Sequence, residues 1–227
     1  MVRDQPPAIL YKFFPPERID VLENLSLRFT RPTEFNDTFD THFLIPKGQS
    51  KRGITERFRL KTKLGILCLT ERSDDHLMWV HYARNHTGFV LGFNSSAPFF
   101  AEGGRTLGKV VYQDRPDVLQ EPDFTACFHK SNVWSHEKEW RCASHFEPSE
   151  SRMAELPTTL ITEIVFGAKI EPFHVAQIMM YVAAYEMTDI QFFVSVPSHT
   201  SWTFEDRPKD MAMCPHCEGN GYLMQDA

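Results

Sequence analysis

The sequence predicts an α+β domain built on a single mixed, mainly antiparallel sheet with three or four helices. Three observations carry that reading. Seven or eight short segments alternate apolar and polar residues or run apolar over strand lengths, whereas helical periodicity occurs in only a few places. The two kinds of segment do not alternate strictly, which disfavours a doubly wound parallel sheet. The 227 residues are 42% hydrophobic and include 19 Phe, enough to give one domain a substantial core.

Ile9 to Phe14 reads as the first strand, stopped by Pro15-Pro16. Leu25 to Thr30 alternates apolar with polar residues before Pro32, and these two strands are expected in one sheet. Between them, Ile19, Val21 and Leu22 mark a short helix. Glu34 to Asp40 sets acids and Asn36 among aromatics in a turn-rich stretch. Residues 46–64 are basic and weakly helical, the expected mobile loop. Gly65 to Glu71 is a strand, after which Ser73-Asp74-Asp75 offers an N-cap to a helix from His76 to Asn85. Thr87 to Phe93, Leu107 to Gln113, Glu137 to Phe146 and Leu160 to Ala168 read as further strands. Pro172 opens a helix to about Tyr185, and Asp189 to Val196 is a Phe-rich closing strand. The globular domain is placed at 1–200. A Pro-rich linker near Pro197 to Pro208 leads into a cysteine-containing tail within 201–227.

Charge and composition narrow the function. A formal charge of −6 argues against sequence-independent binding to long duplex DNA, whose affinity comes mainly from phosphate neutralisation by clustered Lys and Arg. A local basic pocket for one small anion stays compatible with it. No stretch approaches the ~18 apolar residues of a membrane span, and the N-terminus lacks an apolar signal core, so a cytoplasmic protein with no membrane association is expected. Cys68, Cys127 and Cys142 lack framework spacing and fit reduced thiols.

Lys130 to Arg141 is the densest constellation of chemistry in the chain, with two Trp, two Glu and four basic or imidazole side chains in twelve residues. Read as a strand, its second half puts Glu137, Glu139 and Arg141 on one face and Lys138, Trp140 and Cys142 on the other. Two carboxylates so close repel, which raises the pKa of one and suits it to act as a base or to bind a cation. A solvated edge strand has the same charge pattern. The helix around Trp79 carries Met78, His81, Tyr82 and Asn85 on one face. That mixture suits either a ligand site or a core helix whose His81 and Tyr82 find backbone partners. His81 and His86 are five apart, not the four of a zinc-binding helical pair. Phosphate-loop, dinucleotide-turn and nucleophile-elbow motifs are missing from the sequence.

Cys214-Pro215-His216-Cys217-Glu218-Gly219-Asn220-Gly221 resembles one repeat of the DnaJ-type zinc ribbon. Tetrahedral zinc needs four ligands, so Cys214 and Cys217 would need His216, His199 or the tail of a second subunit in a homodimer. A tail with two free thiols is the alternative.

Three motifs in order resemble a widespread bacterial and phage family of domains of unknown function. They are Leu27-Arg28-Phe29-Thr30-x-Pro32-x-x-Phe35-Asn36-Asp37-x-Phe39-Asp40, then Met78-Trp79-x-His81-Tyr82-Ala83-x-x-His86-x-Gly88-Phe89-x-x-Gly92-Phe93, then Lys130-Ser131-x-x-Trp134-x-x-Glu137-Lys138-Glu139-Trp140-Arg141. The resemblance spans roughly residues 9 to 196, and Thr38 departs from it where the family usually has Pro. A more distant resemblance is to ADP-ribosyltransferases, in motif order. It implies that Lys12, Thr30 or Tyr82, and Glu139 surround NAD, with Glu137-Lys138-Glu139 similar to their Glu-x-Glu. Lys12 stands where Arg or His is expected.

That resemblance implies an NAD-using glycosyl-transfer or NAD-glycohydrolase-like enzyme of phage or bacterial conflict. Glu139 would be the catalytic carboxylate and Glu137 would position the nucleophile, with Tyr82 and His81 beside them. Lys12, Arg28 or Arg141 would hold the pyrophosphate, and Tyr82 or Trp134 would stack on a ring. Thr30, Asn36, Asp37, Trp79 and Lys130 complete the expected ligand set, and a protein or nucleic acid would accept the transferred group. A second expectation is a metal-dependent nuclease or phosphoesterase, with Asp37, Asp40, Glu137 and Glu139 holding Mg²⁺. A third is a non-catalytic module that captures a nucleotide or a protein partner.

Overall fold

The computed structural model describes residues 4–41, 55, 61–116, 124–147, 149–208, 211–213 and 222–224. The fold is α+β, with mixed, mainly antiparallel strand pairing. The chain divides into two units. Unit 1 comprises Met1–Pro6, Leu27–Leu69 and Ser96–Ala154, and unit 2 comprises Pro7–Ser26, Thr70–Ser95 and Glu155–Ala227. Among the described residues no helix is long and apolar enough to cross a membrane.

In unit 1, β3 (Leu64–Thr70), β8 (Glu139–His145) and β5 (Thr106–Lys109) lie side by side with β8 in the middle. β5 and β8 are antiparallel, with Gly108 opposite Arg141 and Lys109 opposite Trp140. Gly108 is there because a Cβ would come within 2.8 Å of the Phe128 ring. The expected strand across 107–113 breaks at buried Val110, whose N–H turns to the Glu139 carbonyl at 2.9 Å. Its second half becomes β6 (Val111–Gln113), which pairs in parallel with β7 (His129–Ser131). Leu64, Ile66, Cys127 and Ala143 form a buried cluster, with Phe35, Cys68, Phe124 and Phe128 packed around it. β2 (Ser26–Arg28) pairs with β9 (Met153–Glu155) and not with the first strand, which corrects the expectation of a shared sheet.

In unit 2, the strands run in the order β12 (Phe204–Pro208), β11 (Gln191–Pro197), β10 (Ile161–Phe166), β4 (Phe89–Asn94) and β1 (Ile9–Phe14). β1 (Ile9–Phe14) and β4 (Phe89–Asn94) are antiparallel, with Phe13 opposite Val90. β10 (Ile161–Phe166) and β11 (Gln191–Pro197) are parallel, and the α-helix between them, Pro172–Ala184, makes the long connection that parallel strands require. That helix starts at Pro172 as expected and buries Val175, Ile178, Met179 and Val182, one stripe at helical spacing. Gly88 precedes β4 because a Cβ would lie 2.0 Å from the Phe14 carbonyl oxygen.

A second α-helix, His76–Tyr82, is capped as expected. The Asp75 carboxylate accepts from the Met78 N–H at 3.0 Å. It ends three residues earlier than its periodicity suggests, because Arg84, Asn85 and His86 adopt left-handed φ values of 44°, 54° and 71°. Asn85 therefore leaves the helix, and the expected face breaks up. Met78 and Tyr82 pack on the core, while His81 is exposed. Trp79 is fully buried edge-to-face on Phe13, and its indole N–H donates to the Ser73 carbonyl at 2.7 Å.

Residues 204–208, expected in a linker, form the edge strand β12 (Phe204–Pro208), antiparallel to β11. The alternation of Phe204, Glu205, Asp206 and Arg207 is short, and only its pairing with β11 makes it a strand. Pro208 suits its end because an edge strand can spare an N–H. β13 (Met211–Met213) and β14 (Tyr222–Met224) form an antiparallel pair. Cys214, His216 and Cys217 lie outside the described residues, as does most of the basic stretch within 46–64.

β12 is tied down through a carboxyl. Ser73 Oγ donates to Asp206 Oδ2, and the Tyr11 hydroxyl donates to Glu163 Oε2 at 2.9 Å. Among the described residues neither carboxyl has a cationic partner. Burial, and then the Asp74 charge, raise the Asp206 pKa against the lowering effect of Ser73. Burial, and then the Asp206 charge, raise Glu163 despite the Tyr11 bond. A raised folded pKa means that this stabilisation is complete below the unfolded value, near ~3.9 for Asp. It is lost as pH rises through the folded value. Asp206→Asn keeps an acceptor for Ser73 and removes the charge. We expect it to raise the thermal midpoint at neutral pH and to lose that advantage near pH ~3.5, below the unfolded carboxyl value. Equal shifts at both pH values would contradict this account.

Candidate functional site

Five ionisable side chains converge inside unit 1. Arg141 is 0% exposed, Glu137 and Glu139 3%, Asp40 5% and Lys130 8%. Burying charge is costly unless every charge is paired and hydrogen-bonded. Arg141 donates from Nε to Glu139 Oε1 at 2.8 Å and from Nη2 to Glu139 Oε2 at 2.9 Å. The same Nη2 donates to Asp40 Oδ2 at 2.7 Å, and Nη1 to the Cys127 carbonyl at 2.6 Å. Lys130 Nζ donates to Glu137 Oε2 at 2.5 Å and to Glu139 Oε2 at 3.1 Å, and lies 3.8 Å from Asp40 Oδ2.

Four segments deliver these groups. Asp40 closes a turn in which its N–H reaches the Asp37 carbonyl at 3.1 Å. Asp37 Oδ1 accepts from the Phe39 N–H at 2.8 Å, an Asx-type bond. Lys130 is the middle residue of β7, and Glu139 and Arg141 are alternate residues of β8. Glu137 does not belong to that strand, contrary to the sequence expectation. It ends a 3₁₀ helix, Asn132–Glu137, and Lys138 after it takes a left-handed φ of 47°. A left-handed non-glycine residue costs about 1–2 kcal/mol. Here it sends the Lys138 side chain to solvent while the carboxylates on either side both reach Lys130.

The electrostatics reverse the expectation of a raised carboxyl pKa. Burial opposes ionisation of Glu139, but the charges of Arg141 and Lys130 outweigh it and hold the carboxyl down at about 2. Burial also works against the Lys130 ammonium, yet Glu139, Glu137 and Asp40 hold it above the ordinary lysine value. Arg141 is held far above its ordinary value by Glu139 and Asp40 against its own burial. Tyr112 closes the cluster, its phenol oxygen accepting from the Glu139 N–H at 2.9 Å.

Beside the cluster is a cavity of about 440 Å³ lined by Lys130 and Trp134 together with Asp37, Phe39, Gln113 and Asp114. That volume suits a small organic ligand. The Lys130 ammonium lies 5.1 Å from the Trp134 ring centroid, so the cluster and the cavity share one side chain. Asp114 accepts from Asn132 Nδ2 at 3.2 Å.

Of the expected site residues, the structure brings Lys130, Glu137, Glu139 and Arg141 together with Asp40, and sets Asp37, Lys130 and Trp134 around the cavity. Arg28 is exposed and paired with Glu34 at 2.6 Å. Asn36 is exposed, and Thr30 bridges to Ile66. Lys12, Trp79, His81 and Tyr82 belong to unit 2. There Lys12 Nζ lies 5.7 Å from the centre of the Phe14 ring. Gln113, Asp114 and Phe39 are lining residues that the sequence does not mark as ligand-binding. The β6–β7 pairing brings the first two to the cavity, and no local pattern announces that pairing.

The sequence profile of the family described as Protein of unknown function (DUF2971) matches residues 78–142. The expected kinship with a family of domains of unknown function holds over those residues. They include the positions of the second and third motifs, and the first lies outside. No curated protein and no solved structure matches the chain.

The cluster should act as a unit in stability. Removing one partner of a buried ion pair typically costs about 3–5 kcal/mol, because the other charge is left unpaired. Glu139→Gln is expected to lose an amount of that order in urea unfolding. The depressed Glu139 pKa makes its contribution complete above the unfolded value of ~4.3 and progressively lost as pH falls towards the folded one. Wild-type stability should drop over that acid interval and the variant's should drop less. Identical acid profiles would count against an ionised, paired Glu139.

Proposed function

We propose that the cavity of unit 1 binds the nucleoside portion of a nucleotide-class ligand, with NAD the first member to test. One observation carries this reading: Trp134 offers an aromatic wall while Asp37, Asp114 and Gln113 offer polar groups in a cavity of about 440 Å³. An indole stacks on a planar ring. Carboxylates and an amide accept from and donate to ribose hydroxyls and ring substituents. Ligand pockets commonly combine an apolar wall with a few such polar groups.

The geometry changes the roles within this reading. Glu139 is held by both Lys130 and Arg141, and Glu137 is held by Lys130, so both act as positioning residues that fix Lys130 against Trp134. Two carboxylates line the cavity, Asp37 and Asp114, and because the Asn132 side chain already donates to Asp114, Asp37 is the one assigned to stabilise positive charge developing on a ribose. Glycosyl transfer is therefore assigned to Asp37, with Glu139 acting through Lys130. The Mg²⁺ reading fits the residues less well. Asp40, Glu137 and Glu139 already face two cations, and a divalent ion would have to displace one of them.

Titration calorimetry and Trp fluorescence with NAD, ADP-ribose and adenosine test the proposal. We expect saturable binding that weakens at least about tenfold in Trp134→Ala, in line with the roughly 1–3 kcal/mol of a stacked base. Nicotinamide release that disappears in Asp37→Asn while NAD still binds would identify the enzyme. Binding unchanged by Trp134→Ala would remove the cavity from the proposal.

A further inference from the structure

We infer that this cavity selects a cationic ring, a pyridinium nucleoside over a neutral nucleoside or a polyphosphate. The inference rests on the nucleoside-binding reading above and adds the sign of the charge. Lys130 suggests an anion site at first sight, since it lines the cavity. Its contacts say otherwise. Nζ is held by Glu137 at 2.5 Å and Glu139 at 3.1 Å, with Asp40 at 3.8 Å.

The formal charges make the sign explicit. Lys130 and Arg141 face Asp40, Glu137 and Glu139, which leaves one negative charge in the buried cluster. Asp37 and Asp114 on the lining add two more, counting His129 as neutral. Among the described residues, every lining group with a formal charge except Lys130 is a carboxylate. A triphosphate would meet these carboxylates beside an ammonium, that of Lys130, that is already neutralised. A pyridinium ring gains twice, from the negative surround and from the electron-rich face of Trp134.

The magnitude can be bounded. At an effective dielectric of about 20, one net charge roughly 10 Å from the ring changes affinity by roughly tenfold. Salt should reduce that factor, since the lining is partly open to solvent.

Nicotinamide riboside and its dihydro form have nearly the same shape, but only the oxidised ring is a cation. Calorimetry with these two, adenosine and inorganic triphosphate would measure the selection. The expected result is that the oxidised riboside binds at least about tenfold tighter than the reduced one, with triphosphate silent and the ratio shrinking at high salt. Asp37→Asn, which keeps the acceptor for the Phe39 N–H, should narrow the ratio. Asp114→Asn should do the same and serves if the first variant does not fold. Equal or tighter binding of the reduced riboside, or preference for triphosphate, would overturn charge selection while the stacking site stands. Failure of every nucleoside to bind would overturn both readings.

Discussion

Unit 1 depends on the burial of Lys130 and Arg141 among three carboxylates. Two cations taken from water each cost several kcal/mol, and only dense, well-directed hydrogen bonding recovers that cost. Arg141 meets the requirement through the planar fork of its guanidinium, which takes both oxygens of Glu139, one of Asp40 and the Cys127 carbonyl. A lysine there could not match that geometry. Lys130, with three tetrahedral donors, takes the position where the carboxylates surround a point. The turn ending at Asp40, the strands β7 and β8 and the 3₁₀ helix before Lys138 each contribute a charge, so each is held to the others by an interaction that none can leave cheaply.

This constraint separates what is reactive from what is structural. A carboxylate whose oxygens are occupied and whose pKa is depressed is a poor base and a poor partner for a substrate hydroxyl. Glu139 is such a group. Its influence on the cavity runs through the ammonium of Lys130, which it helps to hold at the Trp134 ring. The side chains that line the cavity come from the turn at Asp37 and Phe39, from the β6–β7 pair and from the 3₁₀ helix that carries Trp134. In the proposed site the ion-paired cluster lies beside the polar lining of the cavity, and preorganised groups lose little freedom on binding.

Unit 2 handles half-buried carboxyls in the opposite way. Glu163 and Asp206 have hydroxyl partners, Tyr11 and Ser73, in place of cations. Among the described residues no cation is paired with either, so desolvation dominates and the acid form is favoured. The same residue type is thus strongly ionised in one unit and pushed towards neutrality in the other. Sequence context does not distinguish the two cases, since both follow from partners distant along the chain.

Local chemistry was readable directly from the residues wherever it acts over a few positions. Asp75 caps its helix, Pro172 begins another, β1, β3, β4, β10 and β11 lie where apolar patterning puts them, and Lys130 to Arg141 does gather the dense charge it advertises. Three features depended on contacts made only after folding. The first is the left-handed Lys138, which turns Glu137 off the strand, because a non-glycine residue at positive φ leaves no mark in composition. The second is the pairing of β6 with β7 and of β12 with β11, since short strands are selected by their neighbours more than by their own propensity. The third is the sign of the carboxylate shifts. Arg141 meets Asp40 across 101 residues, and such a partner decides whether burial raises or lowers a pKa. Periodicity reports which face of a segment is apolar. It carries no information about which charge will stand opposite once the chain has closed on itself.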